Sequence, residues 1–115
     1  MTASWDQQQF LSSLGPMHAM STVFLDAFLE SMQKQRQNLA LGLQQGDVNS
    51  IARCAHSIKG SAGQVRCPML AHYALQLERS VEIGSPATCA LIETLMQQME
   101  LECQVISQFI LEQRS

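Results

Sequence analysis

Of the three histidines in the chain, His56 stands among neighbours whose types suggest chemistry. At 100° per residue, its side of a helix is shared by Asn49, Ala52, Arg53, Lys59, Gly60 and Gly63. Three of these are small and two are cations. A neutral imidazole nitrogen is a nucleophile near pH 7 and can attack a phosphoryl group. The N-phosphoryl product carries close to two negative charges in mid-helix, far from any helix N-terminus that would offset them. Lys59, three residues on, can set its ammonium beside those oxygens as a point charge, and Arg53 can do so from three residues before. An exposed pair of this kind is worth about 1 kcal/mol or less. That suits a carrier, which holds a group and then releases it.

Gly60 and Gly63 need a reason as well. A mid-helix glycine costs about 1 kcal/mol against alanine, and two within one turn on an exposed side weaken a helix for no evident return. A close approach by another surface, with Ala52, Arg53 and Gly63 in its footprint, supplies one. Each piece also has a bland reading: a solvated lysine, a small-residue stretch for tight helix packing, a surface histidine without a role. His18 and His72, which have no such company, take the bland reading.

The elements that must position these residues are all helical. Apolar residues recur at helical spacing almost throughout, with no sustained alternation. A short first helix spans about residues 4–14, capped by Ser4, with Trp5, Leu11 and Leu14 on its apolar side, and is ended by Gly15 and Pro16. Four long helices follow at about 17–44, 48–65, 68–82 and 86–112. The core stripes are Leu25, Phe28, Leu29, Met32, Leu39 and Leu43; Val48, Ile51, Ala55, Ile58, Ala62 and Val65; Leu70, Tyr73, Ala74, Leu77 and Val81; and Ile92, Leu95, Met99, Cys103, Ile106 and Ile110. Gly46 suits the left-handed residue past the second helix, and Asp47 suits the cap of the third. Pro68 stands in the first turn of the fourth. Gly84, Ser85 and Pro86 read as a stop, an N-cap and a first-turn proline. Connections this short make neighbours antiparallel. The expected fold is all-α: an antiparallel up-down four-helix bundle with a short N-terminal capping helix, in one domain over residues 1–115.

Composition narrows the function. Hydrophobic residues make up 46% of the chain and aromatics 5%, which favours a folded helical protein over strands. The formal charge is −3 with no run of Lys or Arg, so the footprint of a nucleic-acid binder is missing. No apolar stretch approaches the ~20 residues of a membrane span. The start MTASWDQQQF lacks a cationic segment followed by an apolar one. We expect a cytoplasmic protein, free-standing because the first helix follows at once on Met1. Cys54, Cys67, Cys89 and Cys103 have no CxxC spacing and read as small buried apolar residues. A di-iron bundle would need Glu-x-x-His pairs, and no glutamate stands three residues before any histidine.

The stretch Ala55-His56-Ser57-Ile58-Lys59-Gly60-Ser61-Ala62-Gly63 closely resembles the AHxhKGSAG signature (h apolar) of histidine-containing phosphotransfer (HPt) domains. The resemblance extends through Leu70 to Leu77-Glu78, which looks like the family's Leu-Glu element on the next helix. The Phe24 to Phe28 segment and Gly46-Asp47 also fit. The resemblance implies that His56 accepts a phosphoryl group on its outer ring nitrogen, that Lys59 stabilises it, and that Gly60 leaves room for the partner. Glu78 falls where members place a polar residue, often Gln, near the imidazole. A carboxylate there can accept from the other ring N–H and set the tautomer; the alternative is a plain surface glutamate. One departure is Arg66, where most members have glycine. A non-glycine residue in a left-handed helix terminus costs about 1 kcal/mol, so the turn is expected to take another shape, with Pro68 helping to set it.

By that resemblance the chain is a phosphocarrier of a two-component phosphorelay, with no kinase activity. It would take the group from a receiver-domain aspartate and pass it to another receiver, the partners being receivers of a hybrid sensor kinase or a response regulator. The receiver would supply Mg²⁺, the chain having no cofactor of its own, and one accessible histidine on a compact bundle implies a monomer. The rival is a helical adaptor that binds a signalling partner without carrying phosphate.

Overall fold

In the computed structural model, which describes all residues from Met1 to Ser115, every regular element is helical. They are α1 (Gln7–Leu14), a 3₁₀ segment (Gly15–Met20), α2 (Ser21–Gln45), α3 (Val48–Val65), α4 (Pro68–Ile83) and α5 (Thr88–Arg114). α2 packs on α3 and α5, and α4 packs on the same two, so the four long helices close a square. The bundle measures 44 × 24 × 20 Å. Its core is a single cluster in which Leu25, Leu39, Ile58, Leu70, Leu77, Leu95 and Ile106 are wholly buried. α1 lays Phe10 across one end.

The site helix α3 has the bounds that its periodicity predicts, and its start carries its own signals. The Asp47 side chain accepts from the Ser50 N–H at its start. Gly46, left-handed at φ 66°, ends α2 two residues earlier. Close helix packing holds this end together: a Cβ on Gly42 of α2 would stand 3.1 Å from Cγ1 of Ile51.

Elsewhere the boundaries shift. α1 begins at Gln7 rather than near residue 4, and its cap is Asp6, which accepts from Gln9 N–H at 3.0 Å. Ser4 is committed to a buried partner, Glu102. Gly15 ends α1 at φ 52°, but the chain tightens into a 3₁₀ segment, so α2 starts at Ser21 and not at Met17. α5 starts at Thr88 rather than Pro86: the Ser85 hydroxyl accepts from Ala87 N–H in a turn of its own before the helix. Two expected core residues lie outside. Val48 is exposed on the first turn of α3 and Leu43 near the end of α2, where no helix covers them. Cys89 is likewise exposed, while Cys54 and Cys67 are buried and Cys103 is half-buried. Burial pushes the Cys54 and Cys67 thiols up, Glu102 adding to it at Cys67, and raises Cys103 to about 11. No helix is long and apolar enough to cross a membrane.

Arg66 does not change the turn. It adopts the left-handed conformation itself (φ 72°, ψ 53°), the one non-glycine residue to do so. The N–H of Cys67 reaches back to Ala62 O at 2.8 Å, satisfying a terminal carbonyl of α3. The N-terminal segment then covers the turn: Asp6 N–H donates to Arg66 O and Trp5 Nε1–H to Val65 O, both at 2.8 Å. These bonds hold a conformation that the residue type disfavours. Arg66 Nε is buried there without a partner.

The same segment enters the core. The Glu102 carboxylate, fully buried on α5, accepts from Ser4 N–H and Ser4 Oγ–H, both at 2.6 Å, and from Trp5 N–H at 3.0 Å. Ser4 Oγ in turn accepts from Met69 N–H at the start of α4. Gln98, also buried, donates to Thr2 O.

Candidate functional site

His56 sits in the third turn of α3 with its side chain 70% exposed. Ala55 and Ile58 beside it are wholly buried, so the backbone under the ring is held by the core while the ring faces solvent. Mid-helix placement leaves no free backbone N–H to assist an anion there.

α4 runs alongside and contributes Glu78. Its Oε2 lies 2.8 Å from His56 Nδ1, and its Oε1 accepts from Lys59 Nζ, also at 2.8 Å. Glu78 is therefore no free surface carboxylate: it bridges the histidine and the lysine. Its side chain is 19% exposed and that of Lys59 32%. The Lys59 ammonium, more than the imidazole N–H, holds the Glu78 carboxyl below the usual carboxylate range against the opposing effect of burial. An ionised carboxylate accepts only, so it selects the ring tautomer with hydrogen on Nδ1. In the neutral ring Nε2, bonded to nothing in the chain, then holds its lone pair toward solvent. That is the arrangement of a nucleophile oriented by a third group.

Gly60 and Gly63 follow on the exposed side, and a Cβ at either would meet nothing within 4 Å. Neither glycine is needed for packing inside the chain, unlike Gly42. Ala52 is half-buried and Arg53 exposed with no bonded partner, so α3 presents one free cation beside the ring. His18 and His72 are exposed and bonded to nothing. No cluster of three or more His, Cys, Asp or Glu side chains could hold a metal ion.

Two features escape the sequence reading. Lys59 is tied to Glu78 rather than standing free beside the imidazole. On the other flank, Gln35 of α2 donates to Ser57 Oγ at 3.2 Å, and beyond it Phe24, Ala27, Ser31, Ser61 and Gln64 line part of a cleft of about 400 Å³ that α1 closes with Phe10 and Leu14. The opposite charges of Lys59 and Glu78 on adjoining helices were a usable signal for the first. The second rests on short polar residues whose pairing has no sequence signature.

Comparison with known proteins adds three findings. The family model described as "Hpt domain" matches residues 23–107. The crystal structure of histidine-containing phosphotransfer protein B (HptB) from Pseudomonas aeruginosa PAO1 is similar over 94% of both chains, with a TM-score of 0.84 and 28% sequence identity. Among curated protein sequences none matches significantly.

Proposed function

This chain belongs to the Hpt domain family, and from that premise we propose that it carries a phosphoryl group on His56 Nε2 between receiver domains of a two-component phosphorelay. The observation that supports this reading most directly is the pairing of His56 Nδ1 with the Glu78 carboxylate, which in the neutral ring puts the hydrogen on Nδ1 and the lone pair on the exposed Nε2.

In the forward step the Nε2 lone pair attacks the phosphorus of an aspartyl phosphate on a receiver. The P–O bond breaks, and its electron pair stays on the aspartate carboxylate. The reverse step returns the pair to Nε2 as a second aspartate takes the group. The receiver brings the aspartate and a Mg²⁺ ion, and docking in the correct geometry does most of the catalytic work. Lys59 stands one helical turn from His56 and supplies positive charge beside the phosphoryl oxygens. Arg53 supplies it from the other side. Gly60, Gly63 and Ala52 keep the surface low, so that the receiver's active site reaches the ring. The chain acts as a carrier without kinase activity, as a monomer in the cytoplasm.

The test is transfer from a phosphorylated receiver, with wild type and His56→Gln side by side. Acid-labile, base-stable label on wild type and none on His56→Gln is the expected result. No label on either, with several receivers and with the fold intact, would favour an adaptor that docks without carrying phosphate.

A further inference from the structure

The carboxylate beside the ring has a consequence for how tightly the phosphoryl group is held. Resting on the phosphocarrier reading above, we propose that Glu78 keeps the proton on His56 Nδ1 throughout the transfer cycle, so that the carried group sits on an imidazolium and leaves readily.

The argument starts from what each atom can do. Glu78 Oε2, 2.8 Å from Nδ1, accepts and does not donate. Contact is favourable only while Nδ1 carries its hydrogen; a bare Nδ1 would set a lone pair against a charged oxygen at the same distance. Four-fifths of the Glu78 side chain is withdrawn from solvent, so water screens this preference only in part. When Nε2 attacks phosphorus, no proton has to leave: the N–P bond forms, the P–O bond to the donor carboxylate breaks, and the ring becomes a phosphoimidazolium with N–H still on Nδ1. When the N–P bond breaks, the pair returns to Nε2 and a neutral imidazole departs. A ring that had lost the Nδ1 proton would have to leave as an imidazolate anion, a far poorer leaving group. The carboxylate thus keeps the carried state labile. A glutamine at the same place can turn its amide N–H toward a bare Nδ1 and stabilise the form that does not let go.

The other charges around the ring are few. Its own helix contributes Lys59, bound to Glu78 Oε1, and the unpaired Arg53, both opposing protonation. On α4, Arg79 adjoins Glu78 and Glu82 lies one turn further, both exposed; neither bonds the ring. From α2 the residue reaching this turn is neutral, Gln35 on Ser57, with Lys34 next to it in the chain. The balance therefore lies between Glu78 and two cations, of which one is engaged by Glu78 itself.

The experiment labels the protein with ¹⁵N, phosphorylates it with phosphoramidate and follows the imidazole ¹⁵N shifts of phospho-His56 from pH 6 to 9. In wild type Nδ1 should hold its proton to a pH higher by about one unit or more than in Glu78→Gln, the lower end of the shift that a neighbouring opposite charge gives a carboxylate. At pH 8 the phosphoryl group should then be lost about tenfold more slowly from Glu78→Gln, in proportion to the protonated fraction. Lys59→Met, which removes the cation and leaves the carboxylate, should move the Nδ1 titration further up. Identical titrations of wild type and Glu78→Gln overturn the inference while leaving the carrier intact. Should Glu78→Gln fail to fold, Glu78→Ala takes its place, and a titration identical to wild type overturns the inference in the same way. A wild-type His56 that takes no label from phosphoramidate or from any receiver removes the carrier reading and this inference together.

Discussion

Two glutamates of this chain make opposite uses of the same functional group. Glu102 is wholly enclosed, and its oxygens are met by neutral donors fixed in the backbone and side chain of Ser4 and Trp5. Glu78 lies at the edge of the bundle and shares its oxygens between an imidazole and an ammonium, both able to change partner. The first arrangement fixes chain to chain and has no freedom left. On the proposed function, the second is made of groups whose charge or contacts would change when a phosphoryl group arrives. Burial with fixed donors marks a structural carboxylate; partial exposure with exchangeable cations is what the proposed role of Glu78 calls for.

Glu102→Ala should show the larger effect. It strands three half-buried donors, and unfolding by urea should show a loss of about 3 kcal/mol. The phosphoryl transfer rate of the folded protein should not change. A loss below 1 kcal/mol would erase the distinction between the two carboxylates. On the open face Gly60→Ala should do the reverse: stability rises by up to about 1 kcal/mol, since a Cβ there meets nothing and alanine favours helix. Transfer from a phosphorylated receiver should slow, because the added methyl stands where the partner must approach. Unimpaired transfer would mean that the glycine is not part of the docking surface. Arg66→Gly returns the comparison to the enclosed end. It relieves the left-handed conformation and removes a buried unpartnered nitrogen, so the denaturation midpoint should rise by an equivalent of about 1 kcal/mol or less, with transfer unaffected.

How much of this was legible follows the same division. The bounds of α3 and the outward position of His56 came from local signals: the Asp47 cap, the Gly46 stop, a stripe of apolar residues at helical spacing. The open face of Gly60 and Gly63 was legible too, because an exposed glycine in a helix has a cost that the pattern itself displays. The enclosed end was not. Ser4 precedes an apolar run, which is how an N-cap looks, but the group that claims it is 98 residues away. Gln98 and Glu102 lie on the buried face of α5 at the spacing of Leu95 and Ile106, but as polar residues they did not enter its apolar stripe. Arg66 was misread for a related reason. Its residue type disfavours the left-handed turn, and the bonds from Trp5 and Asp6 that hold it there depend on a segment that the same reading had placed in a helix.

The distances along the chain have a kinetic side. The contacts that assemble the histidine, lysine and glutamate join residues 19 and 22 apart, across one short turn between two helices. The bonds to Glu102 span 97 and 98. Closing a long loop costs more entropy than closing a short one, and the helices it joins must be in place first. The α3–α4 hairpin is therefore expected to form early, and the N-terminal segment to clasp the bundle afterwards. Contacts made that late act on how fast the native state comes apart rather than on how fast it is reached. The enclosed end would then set the lifetime of the face that carries His56.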